Sequence, residues 1–317
     1  MTSLDLESLR RIQQATAPYL HRTPMLRSDT LSRLTGHNVF LKAELFQKTG
    51  SYKPRGMLWA LLSLAPEQRA RGVITFSSGN AAQGLAYAGQ LLQTPVTVAM
   101  PAGANPTKVQ ATRDYGAEVV LHGTPQECQV HCRQIAAERG LTYIASYDDM
   151  TLMQGHATLA AEVVEDVPQL DALLLGVGGG GMLGGTALGL QACGHPAQLI
   201  GVEPEGAPGM QRSLAEGRAV SLDRVDTIAD GLAAPGAGTL CYEVARDHVH
   251  DLVVVSDAEI VEAMKLLMQR CKLMVEPSGA AALAGLLSGR CDLGKGANVV
   301  CVVSGGNLDL QRLKTLL

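Results

Sequence analysis

Eight short runs rich in Val, Ile and Leu, at residues 39–43, 73–76, 96–100, 119–121, 173–177, 199–202, 252–255 and 299–303, constrain this chain more than any other feature. They are nearly continuous in apolar character instead of alternating with polar residues, the pattern of strands covered on both faces. Between them lie helical patterns at 80–92, 125–139, 152–164, 257–271 and 277–287, so the order is strand, helix, strand and not a run of hairpins. The expected fold class is α/β, with two doubly wound α/β domains built on mainly parallel sheets. A chain of 317 residues, 46% apolar, can bury one large core or two modest ones. Its 3% aromatic content, against abundant Gly, Ala, Leu and Val, suits helices laid directly on parallel strands.

The formal charge of −4 is distributed without a basic block, which argues against nucleic acid and anionic membrane as partners. Cys128, Cys132, Cys193, Cys241, Cys271, Cys291 and Cys301 are an odd set without a C-x-x-C pair, so reduced thiols are expected and neither a disulfide framework nor a zinc site. Residues 1–11 are charged throughout and no apolar run reaches membrane-spanning length, which predicts a soluble, cytoplasmic protein.

Four strand ends carry unusual chemistry. In open α/β sheets ligands gather at the carboxyl ends of strands, where the next helix offers unpaired N–H groups. After the first run comes Lys48-Thr49-Gly50-Ser51-Tyr52-Lys53-Pro54-Arg55-Gly56, leading into a helix from about residue 54 to 64. Pro54 suits the first helical position and is expected to push Lys53 out of the helical region, leaving its amine at the positive helix end. On its own this is an exposed lysine beside a helix start. After 73–76 comes Ser77-Ser78-Gly79-Asn80-Ala81, with two hydroxyls and an N-cap-type asparagine suited to a carboxylate, or simply to capping a helix.

After 173–177 stands Gly178-Gly179-Gly180-Gly181-Met182, and four glycines in a row are too costly in chain entropy to be filler. A phosphate cradle of bare N–H groups is the natural use. Gly176, Gly178 and Gly181 also match a dinucleotide-binding pattern with Glu203 as the ribose acid, but that motif belongs on a first βα unit and has no use for Gly179 and Gly180. The last strand ends in Ser304-Gly305-Gly306-Asn307, where a hydroxyl could face a heteroaromatic nitrogen.

Together and in this order the four segments resemble the fold-type II pyridoxal-phosphate enzymes, in particular the serine/threonine dehydratase and serine racemase group, over a stretch from about Tyr19 to the C-terminus. The resemblance implies a tryptophan synthase β-like fold, with residues 1–67 and 147–317 as a large cofactor-binding domain and 68–146 as a small mobile one. It implies pyridoxal 5'-phosphate as cofactor, held by Lys53 as a Schiff base. Tyr52 lies beside it, Asn80 is placed at the phenolic oxygen, Gly178 to Met182 at the phosphate and Ser304 at the pyridine nitrogen. Ser77, Ser78, Gly79, Asn80 and Ala81 would hold the substrate carboxylate. Lys53 acts as the base on the α-proton, and Ser78 occupies the position of a second base on the opposite face.

The implied reaction is dehydration of a small β-hydroxy amino acid, such as L-threonine, L-serine or 3-hydroxyaspartate, to a 2-keto acid and ammonia. The implied assembly is a homodimer. Tyr147-Asp148-Asp149 resembles the dehydratases' F-D-D more than the racemases' N-Q-E, which favours elimination over racemisation. A nicotinamide-dependent oxidoreductase and a non-catalytic amino-acid binder remain as readings of other classes. Departures from the family pattern are Ala81 in place of a histidine, His156 and Ala157 within the usual G-Q-G-T, and Gly209 where the racemases' cation loop has an aspartate. Glu203 could lend that loop one oxygen, but hard cations want several, so no metal is expected.

Overall fold

The computed structural model describes residues 3–316. Among these residues ten strands form two sheets. They are β1 (Met25–Arg27), β2 (Asn38–Lys42), β3 (Val73–Phe76), β4 (Val96–Met100), β5 (Glu118–Leu121), β6 (Thr142–Tyr143), β7 (Ala172–Gly176), β8 (Gln198–Pro204), β9 (Asp251–Val255) and β10 (Asn298–Val302). The larger sheet runs β1-β2-β10-β7-β8-β9 and the smaller β5-β4-β3-β6. Every pairing is parallel except β1 with β2, where Leu26 faces Leu41. The α/β class and the mainly parallel sheets are as expected, and all eight apolar runs are strands. β1 and β6 escape a sequence reading because three and two residues are too short to show a period.

The continuous apolar runs are explained by which face each residue serves. In β7, Leu173 and Leu175 pack with Leu159 and Leu188, whereas Ala172 and Leu174 pack on the opposite face with Leu267 and Leu283. The smaller sheet repeats this, with Val73 and Val98 in one cluster and Ile74 and Ala99 in the other. Strands buried on both faces cannot alternate with polar residues. The helices Met150–Asp166 and Gly181–Ala192 lie at backbone contact: a Cβ on Gly185 or Gly189 would meet the Met153 or Ala157 carbonyl oxygen at 2.5 Å. Among the described residues no helix is long and apolar enough to cross a membrane.

Candidate active site

A cavity of about 560 Å³ gathers all four singled-out segments, although the first and last are more than 250 positions apart. Its wall includes Tyr52, Lys53, Ser77, Ser78, Gly79, Asn80, Ala81, the loop from Gly178 to Met182, and Ser304. The first and fourth segments are stitched together by backbone hydrogen bonds. Tyr52 N–H donates to the Ser304 carbonyl at 3.1 Å, Gly306 N–H to that of Gly50 at 2.9 Å, and Ser51 bridges to Gly305. Lys53 Nζ donates to the Ser146 carbonyl at 2.8 Å and lies 5.2 Å from the centre of the Tyr52 ring.

Two local expectations are corrected. Lys53 is not pushed out of the helical region: its φ of −54° and ψ of −36° are right-handed helical. The Arg55 N–H donates to the Tyr52 carbonyl at 3.0 Å, and that closed turn outweighs the steric preference ahead of a proline. Asn80 is not the cap of its helix. Gly79 takes that place, and the Asn80 side chain turns away, donating to Glu276 Oε1 at 2.7 Å and accepting from Asn307 at 2.8 Å.

The glycine loop follows β7 and opens the helix Gly181–Ala192. Gly180 has φ +100°, a backbone state that side-chain-bearing residues rarely adopt, and a Cβ on Gly179 would overlap the Tyr147 ring. Among the described residues the amides of Gly178, Gly179, Gly180, Gly181 and Met182 donate to no protein acceptor. Such a row at the positive end of a 12-residue helix suits a phosphate. On the same cavity Ser304 is 5% exposed, and its hydroxyl has only a long 3.5 Å contact to the Ser278 carbonyl, so it is available to a ring nitrogen. An amine, an anion cradle and a poorly partnered hydroxyl on one cavity fit pyridoxal phosphate.

Glu276 was not found from the sequence. It sits at the N-cap of Pro277–Leu287 on the cavity wall, and burial pushes its carboxyl up to about 7 despite the Asn80 hydrogen bond that pulls it down. The only signal was an acid just before a proline in an otherwise apolar stretch. Glu203 is raised to about 7 in the same way, by burial, against the backbone amides that bond it. Both acids keep their proton longer folded than unfolded, where a glutamate titrates near 4.5. Stability is therefore expected to fall as pH rises from about 4.5 to about 7. Thermal unfolding across that range should show a smaller fall in Glu276→Gln; an unchanged slope would remove Glu276 from the explanation.

The dinucleotide reading does not find its ribose acid free. Glu203 Oε1 and Oε2 accept from Met210 and Gln211 N–H, each at 2.8 Å, so this acid caps the helix Gly209–Glu216 instead of offering oxygens to a ribose or a cation. Gly209 is the first residue of that helix. His156 is the seventh residue of its helix and wholly buried against Tyr52, with ring centres 4.9 Å apart. Burial first, then Lys53 and Arg55, holds it well below the usual histidine range, so it is neutral.

Residues 16–305 match the family described as pyridoxal-phosphate dependent enzyme, and the chain belongs to that family. It is 44% identical to an L-threo-3-hydroxyaspartate ammonia-lyase of a Pseudomonas species over 94% of each chain. It is 40% identical to a catabolic L-threonine dehydratase of Staphylococcus aureus (strain N315), over 96% of this chain and 90% of that one. Among solved structures, maize serine racemase superposes with a TM-score of 0.94 at 34% identity, covering 99% of this chain and 96% of that one. Within the family the chain is an enzyme of the ammonia-lyase type, with pyridoxal phosphate as its cofactor.

Proposed function

We propose that this ammonia-lyase eliminates water from a small β-hydroxy amino acid, the class that includes L-serine, L-threonine and 3-hydroxyaspartate, and releases a 2-keto acid and ammonia. The observation that carries this reading is the meeting, on one cavity, of Lys53 Nζ, the row of free amides from Gly178 to Met182 and the Ser304 hydroxyl. The cofactor, when bound, supplies an electron sink for the pair left on Cα.

The chain's own residues do the rest. The glycine loop and its helix N-terminus would hold the phosphate, Ser304 Oγ would meet the ring nitrogen, and the second Asn80 amide hydrogen would serve the phenolic oxygen. The Ser77 to Ala81 loop receives the substrate carboxylate. Lys53 Nζ takes the α-proton, and the β-hydroxyl leaves with one proton as water, so that no net proton is gained or lost. A serine at the ring nitrogen, unlike a carboxylate, would not hold that nitrogen protonated, so the bound cofactor would supply a limited electron sink, which suits loss of a β-substituent. The released enamine needs only water to become keto acid and ammonia.

The direct test is incubation with L-serine, L-threonine and L-threo-3-hydroxyaspartate, assaying keto acid and ammonia in equal amounts. Accumulation of D-serine from L-serine without keto acid would favour the racemase reading, which Ser78 on the cavity wall supports. No chemistry at all would leave a binder. We also propose residues 1–67 with 147–317 as the large domain and 68–146 as a mobile one; the grouping of β3 to β6 in their own sheet supports this. Closure of the mobile part over substrate would exclude water. A cytoplasmic location is supported by seven unpaired cysteines. A homodimer is the family expectation, checked by light scattering.

A further inference from the structure

The cavity wall carries a further cation that the proposed chemistry does not use. Arg133 and Gln129 are four residues apart on the helix Pro125–Arg139, hence on one face of it, and both line the cavity. The Arg133 guanidinium lies 3.4 Å from the centre of the Tyr143 ring, another wall residue, and that stacking fixes its plane. Among the described residues it has neither an ion pair nor a hydrogen bond, and every acid on the wall is already engaged. Asp148 accepts from the amides of Thr239, Leu240 and Cys241 at 2.9 to 3.2 Å. Asp230 pairs with Lys108 at 3.0 Å and with Arg312, so Lys108 is engaged too. Glu276 is bound to Asn80.

The cofactor phosphate and the substrate α-carboxylate have their own sites, in the glycine loop and at Ser77 to Ala81. A pre-oriented, unmatched guanidinium on the same cavity is left for one more anion. We infer that Arg133 is a specificity-determining residue that binds a second carboxylate on the substrate side chain, with Gln129 beside it, so that the preferred substrate is a β-hydroxy dicarboxylic amino acid. This deepens the elimination reading and rests on it. L-threonine and L-serine, which have no such group, would leave the guanidinium unpaired.

The test compares kcat/KM for L-threo-3-hydroxyaspartate with that for L-serine in the wild type, Arg133→Met and Arg133→Lys holoenzymes. Losing one charge-assisted contact should lower the ratio of the two by about 10- to 100-fold in Arg133→Met. Arg133→Lys should recover part of it. A ratio that falls less than about tenfold in Arg133→Met overturns the assignment, because a merely structural arginine would depress both substrates alike. Binding read without turnover separates this inference from the reading beneath it. L-aspartate and L-alanine, which lack the β-hydroxyl, are titrated by the change in cofactor absorbance. Tighter L-aspartate binding that disappears in Arg133→Met supports the carboxylate subsite even if no keto acid forms from any substrate. Equal binding of the two in the wild type overturns it even if elimination proceeds.

Discussion

Lys53→Ala protein is expected to fold normally, to form no imine with pyridoxal phosphate, and to form keto acid at least about 10³-fold more slowly, since one positioned acid–base group alone contributes up to about 10⁴. The separation of activity from stability follows from the amine's surroundings. Lys53 Nζ makes one hydrogen bond, to the Ser146 carbonyl at 2.8 Å, on the edge of a cavity. Such a bond contributes about 1 kcal/mol, and a carbonyl beside open space can turn to water. Unfolding midpoints should therefore hardly move. Borohydride treatment of wild-type protein loaded with the cofactor should mark the peptide carrying residue 53, and the variant should show no adduct. A variant that trapped cofactor elsewhere and kept its rate would overturn the placement of the covalent link.

Arg55→Met is expected to be the opposite case, a large loss of stability that reaches activity only indirectly. Arg55 is 2% exposed and donates to both oxygens of Glu44, each at 2.8 Å, and to both of Glu162, at 2.7 and 2.9 Å. Lys42, wholly buried, completes the group through Glu162 at 2.7 Å and the Thr23 carbonyl at 2.8 Å. Burial pushes the Glu162 carboxyl up, but Arg55 and Lys42 outweigh it and hold the group below its ordinary value. Two cations balance two carboxylates, so removing Arg55 strands negative charge in the interior. The expected cost is about 3 to 5 kcal/mol, read by urea unfolding. Because Glu162 is depressed, its share of stability is present above the unfolded value of 4.5 and is lost as pH falls. That acid-side loss should be weaker in Arg55→Met. A cost below about 1 kcal/mol would mean that water reaches the group and the carboxylates are not stranded.

What the sequence made legible followed from local signals. The eight apolar runs appeared as strands because burial on both faces leaves an unbroken apolar run, and the glycine loop stood out because four glycines carry an entropy cost that only close packing or a ligand explains. The illegible parts were those set by distant neighbours. Lys42, Glu44, Arg55 and Glu162 look like ordinary surface charges in the sequence, and only the packing of Pro54–Leu62 against Met150–Asp166 brings them together. The helical conformation of Lys53 contradicts its own local preference because the Tyr52–Arg55 turn overrides it. Glu276 carried too faint a signal, and Asn80 read as a cap because nothing local shows that it is committed to Glu276 and Asn307.

The position of β10 has a consequence for how the protein is made. This strand, Asn298–Val302, is the tenth in sequence but sits third in its sheet, between β2 and β7, and the serine meant for the ring nitrogen lies two residues beyond it. While the chain is being synthesised, the sheet has a gap in its middle until residues 298–302 have left the ribosome. A nascent chain therefore cannot complete the cofactor site until β10 and Ser304 have emerged and inserted between β2 and β7.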